Sequence, residues 1–175
     1  MLSTDRLILR QWQTSDLTPF AKMNADPQVM RFFPSTLNSE QSEQLFNQLH
    51  QAIEQYGIGF WAVELKKTGD FIGFIGISHN DYLPCGPCVE IGWRIASEHW
   101  RQGYATEGAL ASLDYGFNET GLTEIVSLTP TSNMPSMKVM QKIGMTDSHQ
   151  NFQHPKVAKE STLCEHVLYK IHSSQ

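Results

Sequence analysis

The sequence predicts one α/β (α+β) domain over residues 1–175, with a central twisted, mixed but mostly antiparallel sheet flanked by about four helices. Three observations carry this. β-Rich runs and helical periodicities succeed one another in an irregular order, unlike a regularly alternating doubly wound sheet. Two of the β-rich runs, 59–66 and 71–78, are separated only by Lys67-Thr68-Gly69-Asp70, a polar turn of hairpin length, which makes them antiparallel neighbours. The 175 residues, 40% of them hydrophobic, suit a single core.

Residues 6–12 read as a strand, and Thr14 or Ser15 is placed to cap a short helix in which Leu17, Phe20 and Ala21 share one face. Asn38, with Gln41 three residues on, has the form of a capping box. Leu45, Leu49, Ala52, Ile53 and Tyr56 then recur at helical spacing, so a helix over 39–55 ends at Gly57. After the hairpin, a loop holding Pro84, Gly86 and Pro87 leads into a third β-rich run, 89–95. The helix that follows carries Ala105, Ala109, Leu113 and Phe117 as an apolar stripe and stops at Gly121. Residues 124–129 form a strand, 135–143 a helix closed by Gly144, and 162–171 a last strand, with a weak strand near 149–154.

Charge and cysteine usage narrow the function classes. Thirteen Lys and Arg against eighteen Asp and Glu give a formal charge of −5, which argues against a nucleic-acid surface and suits a cationic amine or basic peptide. The only apolar run near the start is Leu7-Ile8-Leu9, flanked by Asp5, Arg6 and Arg10, so neither a signal peptide nor a membrane span is expected. Three cysteines fit a reducing, cytoplasmic setting better than a disulfide framework. A homodimer is left open.

The most informative stretch runs from Val89 to Glu107, an apolar strand passing through a glycine-bearing loop into a helix. A helix start presents unpaired N–H groups and the positive end of the macrodipole, which suits a phosphate. Gly103 and Ala105 keep bulk away from the amides of Arg101, Gln102, Gly103, Tyr104, Ala105 and Thr106, so a phosphorylated cofactor is expected there.

In these residues the chain resembles the GNAT acyltransferases, and within them the RimJ/RimL type of ribosomal-protein N-terminal acetyltransferase. The resemblance covers Arg6 to Arg10, Val89 to Thr106, Asn133 to Met145 and His166 to Tyr169. It implies a GNAT-like fold and acetyl-CoA as co-substrate, its pyrophosphate on the loop from Arg101 to Thr106. Trp100 stands where the family fingerprint usually has Gln or Arg, and this branch often has an aromatic there. The resemblance further implies that Asn133 contacts the pantetheine arm. Many members place a Tyr seven residues after that Asn to protonate the departing thiolate. Here the position is Met140, which has no proton to give, and the resemblance offers Ser136 as the hydroxyl near sulfur.

The implied chemistry is acetyl transfer from the thioester to a primary amine, by direct attack with both substrates bound. The amine is protonated at neutral pH, so a base is needed, and Glu90 is the candidate. Alternation puts Glu90, Gly92 and Arg94 on one face and Val89, Ile91, Trp93 and Ile95 on the other. A structural salt bridge from Glu90 to an Arg is the competing reading. Main-chain N–H groups of Trp93, Arg94 and Ile95 are placed to stabilise the carbonyl oxygen where strands diverge. No metal is required. The acceptor is an N-terminal α-amine, a polyamine or an antibiotic amine, and a non-catalytic CoA-binding module is a rival.

Other motifs point elsewhere. Cys85-Gly86-Pro87-Cys88 has the spelling of a thioredoxin-type redox motif, but a strand rather than a helix follows it, so two incidental loop thiols are expected; an oxidoreductase is the rival. Cys164 reads as a buried apolar residue. The seven histidines lack ligand spacing. Trp12, Phe32, Phe33, Trp61 and Trp93 read either as core or as the lining of a substrate channel.

Overall fold

The computed structural model describes residues 1–173. In chain order the elements are β1 (Leu2–Ser3), β2 (Leu7–Arg10), α1 (Leu17–Ala25), α2 (Pro27–Met30), α3 (Ser39–Tyr56), β3 (Phe60–Leu65), β4 (Phe71–Asn80), β5 (Cys88–Ile95), α4 (Tyr104–Asp114), β6 (Glu124–Pro130), α5 (Met134–Lys142), β7 (Thr146–Asp147), β8 (Phe152–Gln153) and β9 (Glu165–His172). The strands form one nine-stranded sheet in the order β1-β2-β3-β4-β5-β6-β9-β7, with β8 also on β9. Every neighbour is antiparallel except β5 and β6.

The predicted class holds, with five helices rather than four. The extra one is α2, a single turn that opens with Pro27 and is capped by Asp26, whose Oδ1 accepts the Gln28 N–H at 2.8 Å. For α3 the capping box forms as expected: Asn38 Oδ1 accepts from the Gln41 N–H at 2.9 Å and Gln41 Oε1 from the Asn38 N–H at 2.9 Å. Gly57 closes that helix at φ 71°. Its predicted stripe is only partly buried, since Tyr56 is exposed and lies edge-on to His79.

The expected hydroxyl cap before α1 does not form: Asp16 takes the N-cap position, and its side chain makes no capping bond to α1. Asp16 ends a short turn of 3-10 helix over Thr14–Asp16, and its Oδ2 accepts the Gln13 N–H at 2.8 Å. The same carboxylate takes the Arg10 guanidinium at 2.7 and 2.9 Å, which neither Thr14 nor Ser15 could pair as an ion. After Asp114 the chain widens into a π-helical turn over Tyr115–Glu119, yet Phe117 and Ala105, both partly buried, still pack with Ala109 and Leu113 on the core as the stripe predicts. The last strand starts at Glu165 rather than 162, because Cys164 N–H is turned back onto Ser161 O. Of the weak strand near 149–154 only Phe152–Gln153 pairs.

Period-two alternation divides the sheet's side chains between two cores. Leu7, Leu9, Ile75, Ile77, Ile91 and Ile125 pack with Ala109 and Leu113 of α4 and Met140 of α5. On the other face Trp12, Phe20, Met23, Leu49 and Phe74 pack among α1, α2 and α3. Trp12 and Trp61 are buried core residues, and their edges also line a cavity of about 520 Å³ beside Arg10 and Ile53. The Glu90–Gly92–Arg94 face of β5 thus looks onto the α1–α3 layer.

Candidate active site

β5 and β6 begin as neighbours and then part. Glu90 and Val126 are their one registered pair. The next carbonyl on that side, Ile91 O, is taken by the Ser127 hydroxyl at 3.0 Å rather than by a main-chain N–H of β6. On the other side of β5, Ala96 N–H donates to Ile72 O at 2.9 Å. Strand alternation therefore turns the Arg94 N–H towards β4 and the Trp93 and Ile95 N–H groups towards the widening gap. Of the three donors expected at 93–95, alternation puts those of Trp93 and Ile95 on the β6 side and that of Arg94 beside Phe74 of β4. Trp100 donates its indole N–H to Ile95 O at 2.7 Å, so this residue, unusual in the family fingerprint, ties the loop back to the strand end.

That loop delivers the start of α4. Arg101 at φ 61° and Gly103 at φ 86° both adopt left-handed backbone. Gly103 is the N-cap and supplies no side chain to cap the helix. The first helical bond runs from Glu107 N–H to Gly103 O at 3.0 Å, leaving the N–H groups of Tyr104, Ala105 and Thr106 without a partner inside the helix. Together with exposed Arg101, Gln102 and Gly103 they form an open N-terminus suited to an anion.

Sequence reasoning missed the two charges beside it. Arg6 Nε donates to Glu107 Oε2 at 2.6 Å, Nη1 donates to Gln102 O at 2.9 Å, and the guanidinium stacks on Tyr104 at 4.6 Å. A Cβ at Gly103 would stand 3.3 Å from Arg6 Nη2. Burial alone would raise the Glu107 pKa, but hydrogen bonds from Thr4 and Arg6 hold it below the usual value. Glu107, in the first turn of α4, is thus neutralised by its neighbour.

Across the gap, Asn133 caps α5. Its Oδ1 accepts the Ser136 N–H at 3.3 Å, while Nδ2 donates to Thr129 Oγ1 at 2.7 Å and to Ser136 Oγ at 3.1 Å. With its oxygen already accepting, the Ser136 hydroxyl has its hydrogen free to donate. Met140 faces the core and Gly144 closes α5 at φ 87°.

Glu90 has no arginine partner among the described residues; Asn80 Nδ2 donates to its Oε2 at 2.9 Å. Burial pushes its pKa up to about 7, against the lowering effects of the Asn80 hydrogen bond and the Lys156 charge. Gly92 beside it is bare for a reason: a Cβ there would meet the Phe60 ring at 3.0 Å.

The remaining motifs supply no competing centre. Burial and the neighbouring Cys85 push the Cys88 thiol up to about 12, so it stays protonated at neutral pH and is a poor redox nucleophile. Cys164 is buried, as expected. Among the described residues no cluster of three His, Cys, Asp or Glu side chains could hold a metal ion, and no helix is long and apolar enough to cross a membrane.

The acetyltransferase (GNAT) domain model matches residues 6–146 of the chain. The chain belongs to the GNAT acetyltransferase family. It is 37% identical over 145 residues to the uncharacterized protein YkkB of Bacillus subtilis (strain 168), covering 82% of this chain and 84% of that one. To the uncharacterized N-acetyltransferase YoaA of the same organism it is 33% identical over 147 residues, 82% and 81% of the two chains. The crystal structure of a GNAT-family acetyltransferase from Bacillus anthracis superposes with a TM-score of 0.80 at 26% identity, over 98% of this chain and 97% of that one. This GNAT protein is therefore an acetyl-CoA-dependent N-acetyltransferase. These relatives establish the family and leave its RimJ/RimL branch open.

Proposed function

We propose that this GNAT enzyme acetylates the N-terminal α-amine of a protein or peptide, in the manner of the RimJ/RimL type, by direct attack with acetyl-CoA and acceptor bound together. The observation that carries the reading is the β5–β6 gap, with the Trp93 and Ile95 amides on one wall and the Asn133–Ser136 pair on the other. The pyrophosphate rests on the amides from Arg101 to Thr106, where Gly103 and Ala105 keep the approach clear. The pantetheine arm enters the gap beside Asn133.

Glu90 takes the proton from the acceptor ammonium; a carboxyl that titrates near 7 is half ionised at working pH and matched to the task. The freed amine adds to the thioester carbonyl, and the oxygen that becomes negative is met by the Trp93 and Ile95 N–H groups. The C–S bond then breaks, the Ser136 hydroxyl passes its proton to the departing sulfur, and the extra proton on the newly bonded nitrogen returns to the serine oxygen through water, so that amide, thiol and serine all end neutral.

Thiol release from acetyl-CoA tests this with peptides bearing free or blocked N-termini, polyamines and aminoglycosides. Release that needs a free peptide α-amine is expected. Release with polyamines or aminoglycosides alone, or with no amine at all, overturns it.

A further inference from the structure

We propose that Arg94 binds the acceptor, and that the acceptor is an amine carrying a carboxylate a few bonds from its nitrogen: a free amino acid, or a peptide whose N-terminal residue is acidic. This rests on the acetyltransferase reading above; an acidic first residue narrows the peptide acceptor proposed there, and a free amino acid takes its place. Arg94 departs from the way this chain treats its other semi-buried arginine. Arg10 is neutralised twice, by Asp16 and by Glu64, each at 2.7 Å. Arg94 has no carboxylate partner among the described residues. Its one hydrogen bond there runs from Nη1 to the neutral amide oxygen of Asn24, at 2.7 Å.

Arg94 Nε is buried and without a partner. Buried polar groups left unpaired cost stability and are rare, and a buried charge without a counterion costs more. Burial lowers the Arg94 pKa to about 10, so it remains a cation at neutral pH. With Nη1 held by Asn24, the edge left over is the Nε–Nη2 pair, two parallel N–H donors spaced to take both oxygens of one carboxylate. Phe74 lies 5.1 Å from the guanidinium, and Phe33, in the α2–α3 connection and 39% exposed, lies 4.2 Å away on the side that opens to solvent.

Arg94 shares a face of β5 with Glu90, about 13 Å apart at Cα by the strand rise of about 3.3 Å per residue. Glu90 Oε1 leans over Gly92, 4.0 Å from the point a Cβ would occupy there, which shortens the span to be bridged. The acceptor is directed with its nitrogen to Glu90 and its carboxylate to Arg94, past the Phe60 ring that lies over Gly92. A polyamine would bring a second ammonium against a cation.

Steady-state kinetics with acetyl-CoA test this on matched acceptors: a free amino acid and its carboxamide, a peptide amide starting with Asp and its Asn counterpart, and spermidine. In at least one pair the carboxylate should win in kcat/KM by roughly tenfold or more, and the pair that shows it identifies the source of the acid. Arg94→Gln should collapse the ratio by roughly ten- to a hundredfold. Asn24→Asp keeps the acceptor for Arg94, replaces the amide that donates to Ser42 Oγ by an oxygen to which that hydroxyl can itself donate, and supplies the missing counterion in place, so it should collapse the ratio in a folded protein. Wild-type ratios near one, a preference for spermidine, or an unchanged ratio in both variants overturns the proposal. If no amine supports thiol release, it is the acetyltransferase reading that fails. Arg94 is then tested by calorimetric titration of an N-acetyl amino acid, where affinity at least about tenfold above that of Arg94→Gln supports the proposal and equal affinity overturns it.

Discussion

Burial of Glu90 leaves two pH signatures that one substitution separates. The rate signature follows from its role: kcat/KM should climb as pH rises through about 7, and Glu90→Gln should flatten that limb and recover partly at higher pH, where free amine is commoner. A profile matching the parent's would remove Glu90 from the chemistry. The stability signature has its own sign. Folding raises this carboxyl from 4.5 to about 7, so its contribution to stability is complete below about pH 4.5 and lost as pH rises through 7. Thermal melts of Glu90→Gln should therefore lose less between those limits than the parent. At the loop, Gly103→Glu forces a side chain onto φ 86° and a negative charge onto the phosphate path; calorimetry should find acetyl-CoA binding abolished, and retained affinity contradicts the loop assignment. Gly103 was singled out by the strand–loop–helix stretch around it and by the family resemblance. The Arg6–Glu107 pair was not, because its members stand 101 residues apart and meet only in the fold.

The electrostatics of α4 and the capping of α5 make the element-scale predictions. If Arg6 masks Glu107 at the start of α4, Arg6→Ala should weaken acetyl-CoA binding roughly two- to fivefold, and adding Glu107→Gln should restore part of the loss. Equal affinities for all three proteins would show that the mask is irrelevant. On α5, Ser136→Ala should lower kcat more than coenzyme affinity, whereas an unchanged kcat takes the hydroxyl out of the reaction. The elements themselves were legible where a rule spans many residues, as in the Asn38–Gln41 box and the hairpin about Lys67–Asp70. They were illegible at β1, β7 and α2, where two to four residues carry no period. The expected hydroxyl cap of α1 fails for a similar reason, since Asp16 at that position serves the turn before it and an ion pair, and its cation lies on β2.

The whole molecule turns a single parallel pairing in an otherwise antiparallel sheet into a cleft. Because β5 reaches β6 through α4, the two strands run the same way, and their separation after Glu90–Val126 leaves amides for a ligand. No local pattern could show that β5 and β6 are neighbours, yet the strand–loop–helix stretch between Val89 and Glu107 already pointed to one end of the cleft. Arg94 shows the opposite case: its face was readable from alternation, while its lack of a counterion depended on everything packed around it. The claim beneath all of this is that the coenzyme occupies that cleft and the α4 start. Titrating acetyl-CoA into isotope-labelled protein and following backbone amide shifts tests it most directly. The amides of Trp93, Ile95 and Gly103 to Thr106 should move together, and that of Arg94, turned to β4, should move least among its neighbours. Shifts gathered elsewhere on the sheet, or none at saturating coenzyme, would contradict the account.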